Sequence, residues 1–114
     1  MPQKKVVLIT GCSNPAGIGF SSARLLARRG HHVWATVRDM TKAPALSEGF
    51  APESLSVAEL DVRDEMTVQQ AATAMLERHG RIDTLINNAG FGLIGPVENL
   101  SLAQIKDQIG RAHV

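Results

Sequence analysis

The sequence predicts an α/β protein whose parallel sheet is doubly wound, with helices on both faces. Short apolar runs rich in β-branched residues alternate with amphipathic helical stretches, and most connections between them are brief. A glycine-rich turn joins the first of these strands directly to the first helix. With 114 residues the chain has room for one small domain. Its 44% hydrophobic and 20% charged residues are those of a folded globular protein rather than a disordered one.

Val6-Val7-Leu8-Ile9-Thr10 is apolar without polar alternation, the pattern of a strand covered on both faces. Gly11 ends it. Residues 18–29 then read as a helix in which Ile18, Ser22, Leu25 and Leu26 share a face, with Ala23 and Ala27 beside them. Arg28 and Arg29 place cations at its negative end, and Gly30 stands just past the stop. A second strand spans residues 32–37 and a third, alternating one, residues 55–60; the loop between them holds Pro44, Gly49 and Pro52. Asp64 opens a helix running to His79, with Val68, Ala72, Met75 and Leu76 inward and Gly80 closing it. The fourth strand covers residues 82–87. Gly92 and Gly95-Pro96 mark a loop, and Ser101-Leu102-Ala103-Gln104 has the form of a capping box that starts another helix. Right-handed crossovers between parallel strands favour the order 3-2-1-4.

Between the first strand and the first helix, glycine has three uses. Gly11 permits a tight turn, Gly17 admits a close backbone approach by a pyrophosphate, and Gly19 lets the helix pack close to the sheet. The helix start adds unpaired N–H groups and a positive dipole end. In this strand–turn–helix setting the turn points to a dinucleotide, although such turns also arise for packing alone. At the end of the second strand, an acidic residue would accept hydrogen bonds from free ribose hydroxyls. This chain has Val37 and then Arg38. A guanidinium grips a phosphate with parallel charge-assisted bonds, so Arg38 favours NADP(H), with NAD(H) still possible. The other reading of Arg38 is a solvated strand-end charge paired with Asp39.

Other features exclude rather than assign. A net charge of +1, with the signs interspersed, argues against nucleic acid or an anionic membrane as partner. The single cysteine, Cys12, rules out an internal disulfide, fits a reducing, cytoplasmic setting and reads as a small filler. The apolar run at residues 6–9 is too short for a signal peptide or a membrane span. His31 and His32 are neighbours whose side chains diverge, and no spacing here resembles a metal site. His79 falls at a helix C-terminus, where a partly positive imidazole is favourable. Trp34 reads as sheet packing.

Thr10-Gly11 before Gly17-Ile18-Gly19, then Asp61-Val62, then Asn87-Asn88-Ala89-Gly90, together resemble the short-chain dehydrogenase/reductase family as far as Gln108. The resemblance implies a Rossmann-type fold truncated after the fourth strand, with residues 1–108 an incomplete NAD(P)-binding domain. It assigns Ser13 and Ile18 to phosphate, Asp61 to the adenine amino group, Val62 to the adenine ring, and Asn88, Ala89 and Gly90 to the wall of the cofactor site. Asp61 is otherwise a charge near a helix start. The family usually has three residues between the first two glycines of the turn. Here there are five, from Cys12 to Ala16, and Pro15 offers no N–H.

Within the family, Val33-Trp34-Ala35-Thr36-Val37-Arg38-Asp39 and the stretch 88–98 look like the branch of 17β-hydroxysteroid and retinol dehydrogenases. That implies a secondary alcohol or ketone substrate of apolar character, and a homo-oligomeric parent. The family's proton donor is a tyrosine, assisted by a lysine and a serine, all beyond the fourth strand. The chain contains no tyrosine. It is therefore expected to hold no catalytic residue and to bind cofactor at most. A non-catalytic dinucleotide-binding module is the rival reading, and a methyltransferase-like protein a third, against which Asn87 to Gly90 argues. Gly110 interrupts the helix that Ser101 begins, and the last six residues resemble a translated sequencing adapter, so residues 109–114 are expected to be a non-native tail. A sheet ending at the fourth strand is expected to leave that strand's edge unpaired.

Overall fold

The computed structural model describes residues 4–88 and the backbone of residues 93–96. The expected capping box at Ser101 and the tail at 109–114 lie outside the described residues. In chain order the elements are β1 (Val6–Ile9), α1 (Ile18–Arg28), β2 (His32–Val37), a 3-10 turn (Met40–Lys42), α2 (Ala43–Ser47), β3 (Leu55–Glu59), α3 (Glu65–His79), β4 (Thr84–Asn87) and β5 (Leu93–Pro96). The loop after β2 thus carries a short helix.

β1 pairs in parallel with β2 on one side and β4 on the other, and β3 pairs with β2, which is the expected order 3-2-1-4. The sheet then continues. β5 lies antiparallel on β4, with Thr84 opposite Pro96 and Asn87 opposite Leu93. The expectations of a bare edge on β4 and of a loop at Gly95-Pro96 are both corrected. Antiparallel neighbours need only a short reversal of the chain, and a proline suits an edge strand because it has no N–H to give to a further ladder.

Successive side chains of a strand point to opposite faces. Val6 and Leu8 accordingly join a core with Trp34, Val68, Ala72 and Met75, beneath α3. Val7 and Ile9 join another with Ala23, Ala27, Val33 and Leu46, beneath α1 and α2. In α3 the buried face is Val68, Ala71, Ala72 and Met75, with Leu76 at its margin. In α1 the expected face is corrected. The buried stripe is Gly19, Ala23 and Ala27, while Ile18 is 73% and Leu25 45% exposed. Small residues turn inward because the helix lies close to the sheet, and Phe20 and Leu26 pack at the sides.

Two contacts fix the flanks. Arg24 Nη1 donates to the carbonyls of Leu46 (2.9 Å) and Glu48 (2.8 Å), and its guanidinium lies 4.9 Å from the Phe50 ring centroid. One side chain thereby satisfies carbonyls at the end of α2 and stacks on an aromatic face. At the N-terminal edge of the sheet, Trp34 Nε1 donates to His79 Nε2 at 2.9 Å, and the His32 ring lies 5.3 Å from that of His79. Burial, with His32, Arg78 and Arg81 nearby, pushes the His79 pKa below its ordinary value. A nitrogen that accepts from an indole must be unprotonated. The partly positive imidazole expected at this helix end is therefore corrected to a neutral one.

Candidate functional site

The parallel strands all end at one edge of the sheet, and the loops leaving that edge carry the predicted site residues. Strand order reverses between β1 and β4, and in open α/β sheets the crevice at such a reversal is where ligands bind.

The crevice is bolted together by polar groups. Thr10 Oγ1 donates to Asn87 Oδ1 (2.9 Å) and accepts from the Asn88 amide (3.0 Å). Asn88 Nδ2 donates to the Gly11 carbonyl at 3.1 Å. On the other side, the Cys12 amide donates to the Thr36 carbonyl (2.9 Å) and Thr36 Oγ1 to the Ile9 carbonyl (3.2 Å). Buried hydrogen-bonded groups in a low-dielectric setting are rigidly held. Thr10 and Asn87, read from the sequence only as parts of motifs, are thus the clamp between β1 and β4. Cys12 is fully buried, and burial pushes its thiol up to about 12, so it is the inert filler expected of it.

Gly11 has φ 71°, a left-handed conformation that glycine adopts without strain. The five residues after it are absorbed by a closed turn. The Gly17 amide donates to the Asn14 carbonyl (2.8 Å), and the Ala16 amide to Asn14 Oδ1 (3.0 Å). Asn-Pro-x-Gly suits a β-turn, with the proline ring pre-setting the second position. Asn14 therefore builds the loop. Ser13, ahead of it, is half-buried.

The start of α1 is open. Gly17 is its N-cap and provides no side-chain bond, and the first turn has no acidic residue. Among the described residues the amides of Ile18, Gly19 and Phe20 therefore have no side-chain cap. A Cβ on Gly19 would lie 2.7 Å from both the Gly11 carbonyl oxygen and Asn88 Nδ2, so the residue is glycine because backbone fills the space. Bare amides at a positive helix tip, beside a backbone-lined floor, fit a phosphate group.

Arg38 follows β2 directly and is exposed. Asp39 does not pair with it. Its carboxylate accepts from the Thr41 amide (3.0 Å) and caps the 3-10 turn, and that bond draws its pKa down. After β3, Asp61 is gripped by Arg63. Oδ1 accepts from the Arg63 amide (2.9 Å) and Nε (3.1 Å), and Oδ2 from Nη2 (3.1 Å). This fork, with Arg38 also contributing, takes the Asp61 pKa to about 2. A carboxylate has about four acceptor positions, and donors among the described residues fill three of them. Val62 is half-buried against the α3 core. The cap of α3 is Asp64 rather than Asp61. Ala89 and Gly90 lie outside the described residues. The structure thus brings Gly11, Ser13, Gly17, Ile18, Gly19, Arg38, Asp61, Val62 and Asn88 to one edge. The sequence reading overlooked Arg63, whose only signal was its place two residues after an aspartate.

The sequence and the fold are similar to those of known proteins. The family model of short chain dehydrogenases matches residues 5–111. Retinol dehydrogenase 8 of Homo sapiens is 39% identical over 109 residues, covering 90% of this chain and 33% of its own. The 17-beta-hydroxysteroid dehydrogenase type 1 of Mus musculus is 46% identical over 101 residues, covering 82% of this chain and 28% of its own. The chain therefore spans about a third of the length of these curated relatives. Among solved structures, ElxO with NADP bound superposes with a TM-score of 0.63 at 36% identity, over 75% of this chain and 35% of that one. With the family model matching nearly the whole chain, the chain belongs to the short-chain dehydrogenase family.

Proposed function

We propose that this chain is the cofactor-binding part of an NADP(H)-dependent oxidoreductase acting on a secondary alcohol or ketone of apolar, steroid- or retinoid-like character. The observation that carries the reading is the uncapped start of α1, opening onto the sheet's reversal point with the exposed Arg38 at the end of the neighbouring strand. The relatives named for retinol and 17-beta-hydroxysteroids support the substrate class, and the NADP-bound relative supports the cofactor.

When bound, the nicotinamide supplies the hydride donor or acceptor. The chain's own residues bind and orient. The amides of Ile18, Gly19 and Phe20, with Ser13 beside them, would receive the diphosphate, and Gly11 and Gly17 keep the approach free of side chains. Arg38 would hold the 2′-phosphate. Asp61 would take the adenine amino group, with Val62 against the ring. Asn88, with Ala89 and Gly90 by the family resemblance, would line the cofactor site. No tyrosine occurs in the chain, so it offers no phenolic proton donor of its own. That absence also sustains the second reading, a dinucleotide-binding module without turnover. No described helix is long and apolar enough to cross a membrane. A cytoplasmic, homo-oligomeric parent is the setting proposed.

Titration with NADPH and NADH tests the reading. Arg38→Asp is expected to weaken NADPH at least tenfold, or about 1.4 kcal/mol, since hydrogen bonds to charged groups contribute on the order of 1.5–3 kcal/mol. NADH should be little affected. An unchanged NADPH/NADH preference would overturn the cofactor assignment. A Tyr-x-x-x-Lys in the extended reading frame separates the enzyme from the module.

A further inference from the structure

We infer that Arg63 sets the preference for a 2′-phosphorylated dinucleotide by neutralising Asp61, which leaves Arg38 available to the phosphate. The inference rests on the proposed cofactor reading and deepens it.

Arg38 and Asp61 leave the sheet side by side. Val37 is paired with Glu59, and the Leu60 amide donates to the Val37 carbonyl at 2.9 Å, so the next residues of the two strands begin from adjacent positions. An aspartate so placed has two harmful effects on a phosphate site. It competes for the guanidinium, and it repels the dianion. Asp39 is turned to the Thr41 amide and makes no ion pair with Arg38. Asp61 is instead held by Arg63 through a two-pronged side-chain fork at 3.1 Å on each prong, with the Arg63 amide as a third donor. Planar bidentate pairing of this kind is specific to arginine, and the short loop before α3 fixes the geometry. Of the three charged groups Arg38, Asp61 and Arg63 that form this corner, two are cations and one is an anion, and the anion is already held by Arg63. Its surplus positive charge belongs to Arg38, the residue nearest the second strand.

The charge count makes an ordered prediction. Without Arg63 the corner has one cation and one anion. With Asp61→Asn it has two cations. With both changes, Arg38 stands alone and the balance returns to that of the starting protein. Effects on the adenine contact act on NADH and NADPH alike, so the ratio of the two dissociation constants isolates the 2′-phosphate.

Dissociation constants for NADPH and NADH are measured by titration of the 114-residue chain and its variants at low and high ionic strength. The NADPH preference is expected to fall about fivefold in Arg63→Ala, to rise in Asp61→Asn, and to return within about twofold of the original in the double variant. Arg63→Lys, which keeps the charge but loses the fork, should fall between. These differences should shrink at high salt, a response that a merely structural role would not give. Arg63 is 60% exposed, so its truncation opens no cavity. An unchanged ratio in Arg63→Ala, or a double variant that matches Arg63→Ala, overturns the inference while the cofactor reading stands. A starting chain that binds neither dinucleotide overturns the cofactor reading first, and this inference with it.

Discussion

Helices α1 and α3 both start at the same edge of the sheet, each after a parallel strand, and each faces the same deficit of hydrogen-bond partners for its first amides. In α3 the chain resolves the deficit itself. Asp64 accepts from the Met66 amide at 3.1 Å, and Glu65 adds a carboxylate to the first turn. In α1 the cap is Gly17, and no side chain is offered. One helix start thus has a side-chain cap and an acidic first turn, and the other has neither. An anion is what a positive helix tip accepts.

Four changes would break or sharpen this contrast. Gly19→Val should have the largest effect, because its Cβ meets backbone and Asn88 at 2.7 Å on both sides. Overpacking of this kind costs about 3 kcal/mol, read as a lower urea midpoint, and dinucleotide binding should disappear with it. Gly17→Asp would give α1 the cap that α3 has. NADPH affinity should fall about tenfold, roughly 1.4 kcal/mol, while stability changes by only a few tenths of a kcal/mol. If that variant binds NADPH unchanged, the open helix start is not the phosphate site. Asp64→Ala should cost about 1 kcal/mol of stability, by denaturant titration, and leave the NADPH/NADH ratio as it was.

The smallest effect concerns the far end of α3. The folded pKa of His79 lies below the ordinary 6.5, so the unfolded chain takes up its proton first. Stability is then complete above about pH 6.5 and declines as the pH falls below it toward the lowered value. The urea midpoint should drop modestly between pH 7 and pH 5.5, followed by Trp34 fluorescence. In His79→Gln that pH dependence should flatten.

Strand order was legible in the sequence through the handedness of the crossovers, and the helix-ending glycines through local pattern. Gly30 and Gly80 have φ of 93° and 75°, as their positions after helix stops required. The α1 face was misjudged because hydrophobic spacing marks bulk, whereas this helix approaches the sheet through Gly19, Ala23 and Ala27. His79 was misjudged because its partner, Trp34, is 45 residues away in sequence. A charge rule for helix ends cannot anticipate an indole donor. Arg63 escaped for a similar reason: an exposed arginine acquires meaning only when its carboxylate partner is seen beside Arg38. The antiparallel pairing of β5 on β4 escaped as well, because Gly95-Pro96 reads equally well as a loop.

The turn at Asn14 to Gly17 has an effect on recognition beyond its length. Its closing bonds consume the Ala16 and Gly17 amides. The donors left for a ligand are displaced into the first helical turn, where the backbone is already ordered. Capture would then involve little freezing of loop motion, and much of the ordering entropy is spent during folding instead. A two-residue insertion that looks like added slack behaves as a stiffener.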